Sequence, residues 1–108
     1  MINKKIIDSL KVLNIPVVYM EINKKKDKYV IFSIYNEKDS MFCNDTNLAE
    51  KYYITLNYWF NNPSDIGIYK EIKKLMKENG FIYDSGTDLR KDGDYFGKSM
   101  DFIYEELL

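Results

Sequence analysis

Enzymatic chemistry needs a nucleophile with a base, a set of metal ligands or a cradle for phosphate, and the 108-residue sequence supplies each only in fragments. It has one thiol, Cys43, and no His, so the commonest general base and metal ligand is missing. A Ser or Cys nucleophile would have to rely on Lys, Asp or Glu. Cys43 lies between Phe42 and Asn44 with no basic neighbour, and it reads as a small, half-buried hydrophobe. Asp84, Asp88, Asp92 and Asp94 form the densest run of carboxylates. Their spacing lacks the full ligand series and closing Glu of a calcium loop, so they read as a solvated loop. Gly86, Gly93 and Gly97 lack the Gly-Lys-Ser/Thr ending of a phosphate loop and read as turn residues. No catalytic, cofactor or metal residue is therefore assigned, and the chain is not expected to be an enzyme.

The residues singled out instead are aromatic. Ten Tyr, six Phe and one Trp make 16% of the chain, and such side chains suit both pleated strands and contact surfaces. Trp59 can serve as a binding anchor or as the cover of a small core. Tyr95 and Phe96 pose the same choice. Together with Tyr53 they are the interface candidates. Lys24-Lys25-Lys26 could touch nucleic acid, but Asp27 follows it and Arg90 is the only Arg among sixteen basic residues. Reading guanine or phosphate relies mainly on Arg forks, so sequence-specific nucleic-acid recognition is not expected. The formal charge of -1 supplies no field for phosphate backbones or anionic lipid. The longest charge-free stretch, Tyr52 to Ser64, is too short and polar to span a bilayer, and the basic N-terminus lacks a signal peptide's apolar core. A soluble, unsecreted protein is expected.

The elements that must position these residues follow from periodicity. Ile2, Ile6, Ile7, Leu10 and Leu13 recur at helical spacing, and Pro16 should end that helix. Val17 to Ile22 and Tyr29 to Tyr35 read as two strands of a hairpin around Asn23–Asp27. From Asn36 to Glu50 turn residues surround Met41-Phe42-Cys43, which predicts an irregular crossing with at most a short strand. Lys51 to Phe60 alternates, with Tyr52, Ile54, Leu56, Tyr58 and Phe60 toward the core and Tyr53, Thr55, Asn57 and Trp59 away from it. Pro63 and a Ser64 cap open a second helix whose stripe is Ile68, Ile72, Leu75 and Met76. Asn79-Gly80 stops it, with Phe81 folding back on Met76. Phe81 to Asp84 starts a strand, Ser85 to Asp94 reads as a loop, and Gly97 to Leu107 closes the chain as a strand. The expectation is one α+β domain over residues 1–108. It has a mostly antiparallel sheet of about five strands, both helices on one face, and the order α-β-β-(β)-β-α-β-β. The second face would then expose Tyr53 and Trp59, with Tyr29 and Ile31, over more apolar area than a soluble monomer normally tolerates.

This order resembles the tail-completion, or tail-terminator-like, proteins of long-tailed bacteriophages and prophages. The resemblance runs over almost the whole chain: the opening helix with Asn14-Ile15-Pro16-Val17-Val18-Tyr19, the strand Tyr29 to Tyr35, Phe42-Cys43-Asn44-Asp45, and Tyr52-Tyr53-Ile54-Thr55-Leu56. It continues through Pro63 and the second helix into Asn79-Gly80-Phe81-Ile82-Tyr83 and the strand Lys98 to Tyr104. None of these segments is a chemical signature; their order carries the match.

The resemblance implies a structural virion protein assembled in the host bacterial cytoplasm. It would sit on the tail as a ring, typically a hexamer, that caps the tail-tube protein, ends its polymerisation and offers a joining surface to the head connector. A ring has heterologous contacts, so one patch on each subunit must match a different patch on the next. The face around Tyr53 and Trp59 would supply one patch, and the segment Ser85 to Phe96 would touch the tube or the adjacent subunit. A head-to-tail neck protein, or a cytosolic module that binds a protein through an aromatic sheet face, fits the same residues. An enzyme using the Asp run with a metal is a third class.

Overall fold

The computed structural model describes residues 1–108 and has the α+β architecture expected from the sequence. Helix α1, Ile2–Leu10, buries Ile2, Ile6 and Leu10 at four-residue spacing, while Lys4 and Asp8 pair at 2.7 Å on its wet side. A 3-10 turn, Lys11–Leu13, continues it, and Asn14 ends the segment in the left-handed region (φ 55°), two residues before Pro16. The stop therefore comes earlier than proline alone would impose.

Five strands form one sheet: β1 (Val17–Tyr19), β2 (Lys28–Cys43), β3 (Thr46–Phe60), β4 (Ile82–Asp92) and β5 (Tyr95–Leu107), in the order β1-β2-β3-β5-β4. The expected hairpin between the first two strands is not formed. They pair in parallel, Val17 beside Val30 and Tyr19 beside Phe32. Met20, at φ 70°, turns the chain back so that Val30 N–H donates to the Pro16 carbonyl. Alternation of apolar residues is the same for either strand direction, and Asn23–Asp27 lacks the two-residue turn that would have fixed a hairpin.

The expected irregular crossing is instead the far half of a long hairpin. Strands β2 and β3 pair from Lys28↔Phe60 to Cys43↔Thr46, with one irregularity between Ile34 and Asn36. Asn44 and Asp45, at φ 49° and 63°, turn the chain with both central residues left-handed, as a type I′ turn requires. Strand β5 accompanies β3 only as far as Ala49↔Leu107. Past that pair the hairpin runs on as a two-stranded arm, and the chain measures 53 × 25 × 24 Å.

A 3-10 turn, Pro63–Gly67, leads into α2, Ile68–Glu78. The cap expected from Ser64 comes from Asn62, whose side chain accepts from Ser64 N–H at 3.1 Å. At the other end Phe81 N–H donates to the Met76 carbonyl and Gly80 N–H to the Lys77 carbonyl, the two bonds of a Schellman ending, with Gly80 at φ 89°. The segment Ser85–Asp94 is not a loop: most of it is edge strand β4, joined to β5 by a two-residue turn at Gly93-Asp94. Irregular register at Tyr83/Ser85 and Leu89/Asp92, exposed charges and Gly86 keep that edge unattractive to another strand.

Both helices lie on one face of the sheet. Ile6 and Leu10 of α1 and Ile72 and Met76 of α2 pack on Val30, Phe32, Ile54, Leu56, Tyr58, Phe60, Met100 and Phe102. Tyr58 carries the one hydroxyl deep in this core; it donates to the Asp65 carbonyl at 3.0 Å and so ties β3 to the 3-10 turn. Burial pushes the Tyr58 phenol pKa well up.

Three outcomes follow. In urea unfolding, Phe102→Ala should cost about 3–5 kcal/mol, whereas Phe42→Ala, at a 64% exposed position on the arm, should change monomer stability by less than about 0.5 kcal/mol. Gly80→Ala should cost about 1–2 kcal/mol through backbone strain alone, because an added Cβ meets nothing nearer than Tyr104 at 3.6 Å. Because the Tyr58 phenol is raised in the folded state, the unfolded chain loses this proton first. Stability should therefore hold below about pH 10 and fall above it, and Tyr58→Phe should flatten that alkaline limb of a pH–stability curve.

Candidate functional site

The second face of the sheet carries no helix, and its residues fall into three zones along the strands. At the base, near the start of β5, Trp59, Tyr29, Tyr95 and Leu89 surround Gly97. A Cβ on Gly97 would stand 2.7 Å from the Trp59 ring and 2.9 Å from the Leu89 Cβ, so the indole fills the space the glycine leaves. Tyr29 is only 3% exposed and meets Tyr95 edge to face at 5.5 Å. Tyr95 Oη donates to the Lys26 carbonyl at 2.7 Å, and Lys25 Nζ lies 5.4 Å from the Tyr95 ring centre while pairing with Asp92 at 3.8 Å. The β1–β2 loop is thereby strapped over the base of this face.

The middle zone is polar. Thr55 Oγ1 donates to Asp101 at 2.9 Å, and Asn57, between Ile31 and Ser99, has its side-chain oxygen buried without a hydrogen-bond partner. Beyond it a second aromatic zone begins. Tyr35 and Tyr53 have ring centres 6.1 Å apart, Ile103 lies opposite Tyr53, and Lys38 Nζ is 5.3 Å from the Tyr53 ring. Burial, with Asp101 and Asp84 nearby, raises the Tyr35 phenol pKa. On the helix side of the same region, Tyr52 donates to Glu50 at 2.9 Å and its phenol is pushed up to about 12, mainly by burial and then by that bond.

The four interface candidates are thus not one patch. Tyr53 and Trp59 share the uncovered face but sit six residues apart on β3, roughly 20 Å by strand rise. Tyr95 is on the same face, engaged with the loop. Phe96, the next residue, points to the helix side, where it stacks on Phe60 at 5.7 Å. There it lines a cleft of about 310 Å³ with Phe60, Pro63 and Ile66, which reaches the edge strand at Leu89 and is rimmed by the Lys98–Asp88 pair at 2.6 Å. Sequence reasoning did not single out this cleft, since Pro63, Ile66 and Leu89 meet only through the fold.

The residues weighed for other chemistry are dispersed. Asp84, Asp88, Asp92 and Asp94 are strung along β4 and its turn, and no three carboxylate or thiol groups converge as metal ligands do. Cys43, expected half-buried, is exposed at the arm's tip because neither face of the arm is covered there. No helix is long and apolar enough to cross a membrane. Compared with known proteins, the chain matches no family model and no curated protein.

Gly97→Ala should displace the Trp59 indole, at a cost of about 1–3 kcal/mol from overpacking. The check is tryptophan fluorescence, a single-site signal here, which should shift to the red as the ring gains solvent.

Proposed function

We propose that this chain is a structural ring subunit that caps a phage tail tube, ends its growth and presents a joining surface to the head connector. The observation that carries the reading is the second sheet face, which keeps half-buried Tyr53 and Trp59 and the exposed Tyr35 without a covering layer. Monomers seldom leave such aromatic surface open unless a partner covers it. The resemblance in element order supplies the particular assembly, and the α+β fold with both helices on one face is compatible with it. A neck subunit would use the same face against different partners.

The test is co-assembly of the purified chain with a phage tail-tube protein, followed by sizing and electron microscopy. Rings on tube ends and shorter tubes are expected. Binding to the connector but never to tubes would favour the neck role, and a stable monomer under all conditions would favour a protein-binding module. Tyr53→Glu should weaken capping at least tenfold, in line with the loss of a buried interface aromatic. Capping by Tyr53→Glu and Trp59→Ala proteins as efficient as that of the parent chain would remove this face from the assembly.

A further inference from the structure

The two ends of the 53 Å subunit differ in shape and charge in ways that fit each other. One end is the arm, where Phe42 is 64% and Met41 50% exposed beside the Asn44-Asp45 turn. The other end is the base, where the 3-10 turn Pro63–Gly67 and strand β4 enclose the apolar cleft lined by Phe60, Ile66, Leu89 and Phe96. Strand β3 runs between them, from Thr46 near the tip to Phe60 in the cleft wall.

Charge is segregated along the same axis. On and beside the arm, Glu37, Asp39, Asp45, Glu50, Glu105 and Glu106 outnumber Lys38 and Lys51, and none of these acids belongs to an ion pair. At the base Lys24, Lys26, Arg90 and Lys91 are likewise unpaired, against Asp27 and Asp94. Lys91 lies 5.0 Å from the Phe96 ring centre, at the cleft itself. An apolar projection with an acidic surround and an apolar recess beside Lys91, at the end that carries the unpaired cations, thus occupy opposite ends of one chain. Such a pair makes a heterologous contact, which generates a ring when the rotation closes.

We infer that the occupant of the basal cleft is the arm of a second copy of this chain, with Phe42 seated among Phe60, Ile66 and Phe96. The contact deepens the ring reading above and rests on its self-association alone, not on the identity of the tube. It also gives the hairpin arm a role that the second sheet face does not supply. Because unpaired charges surround an apolar centre, the association should weaken as salt rises.

Phe42→Glu removes the projection and Ile66→Glu, at a 47% exposed position, blocks the recess; both sites are open enough that folding, checked by circular dichroism, should be unaffected. Sedimentation of each chain is measured alone and in mixture, with and without tail tubes. The parent chain should form species larger than a dimer. Each variant alone should be monomeric, with association at least about tenfold weaker. Their mixture should stop at a 1:1 dimer, since it retains one good arm and one good cleft. Three results would each overturn the contact: a parent chain that never exceeds a dimer, variants that assemble as the parent does, or a mixture that stays monomeric. Rings on tubes that ignore both substitutions would sink the contact and leave the tail reading standing. Head-to-tail oligomers that obey the mixing rule but never touch tubes would do the reverse.

Discussion

The structure turns on a mismatch of lengths between helix and strand. An α-helix advances about 1.5 Å per residue and a strand about 3.3 Å. The nine- and eleven-residue helices therefore cover only roughly 15 Å each of a sheet whose central strands, at sixteen and fifteen residues, run to roughly 50 Å. The main core lies where the two coincide, in the block formed by Ile6, Leu10, Ile72 and Met76 on Phe32, Leu56 and Phe102. What the helices cannot reach is left as the arm at one end and the cleft at the other, and their placement on one side leaves the second face without a layer.

The same mismatch explains which elements were legible in the sequence. Lys51 to Phe60 was readable because one side of it meets the core and the other does not, which imposes alternation. The stop at Gly80 was readable because only a few residues tolerate a left-handed position, and the return of Phe81 onto Met76 came with it. The arm and the Ser85–Asp92 stretch of β4 were not. Both are mostly exposed, so neither needs alternating residues, and both looked like loops although they are hydrogen-bonded throughout most of their length. The parallel pairing of β1 escaped for a different reason: three residues alternate identically whichever way they run.

At the candidate surfaces, the legible part was local and the illegible part was assembled by topology. Tyr53 and Trp59 were placed on the uncovered face by counting along one strand. Tyr95 and Phe96 are neighbours in sequence, and the pleat sends them to opposite sides, one under a loop and the other into the cleft. The role of Trp59 as the lid of Gly97 depends on a cross-strand register that no local pattern encodes. A near-zero total charge likewise hid two ends of opposite character, because the acids of the arm come from three separate stretches of chain.

Strand β3 is bonded on both sides, to β2 along its whole length and to β5 along most of it, and like β2 it reaches from tip to base. A pull applied between the arm and the base would load these ladders in shear, with many hydrogen bonds resisting together. A pull across the sheet would peel strands apart a few bonds at a time. The fold is therefore mechanically anisotropic: stiff along its long axis, and weakest at the three-residue edge of β1.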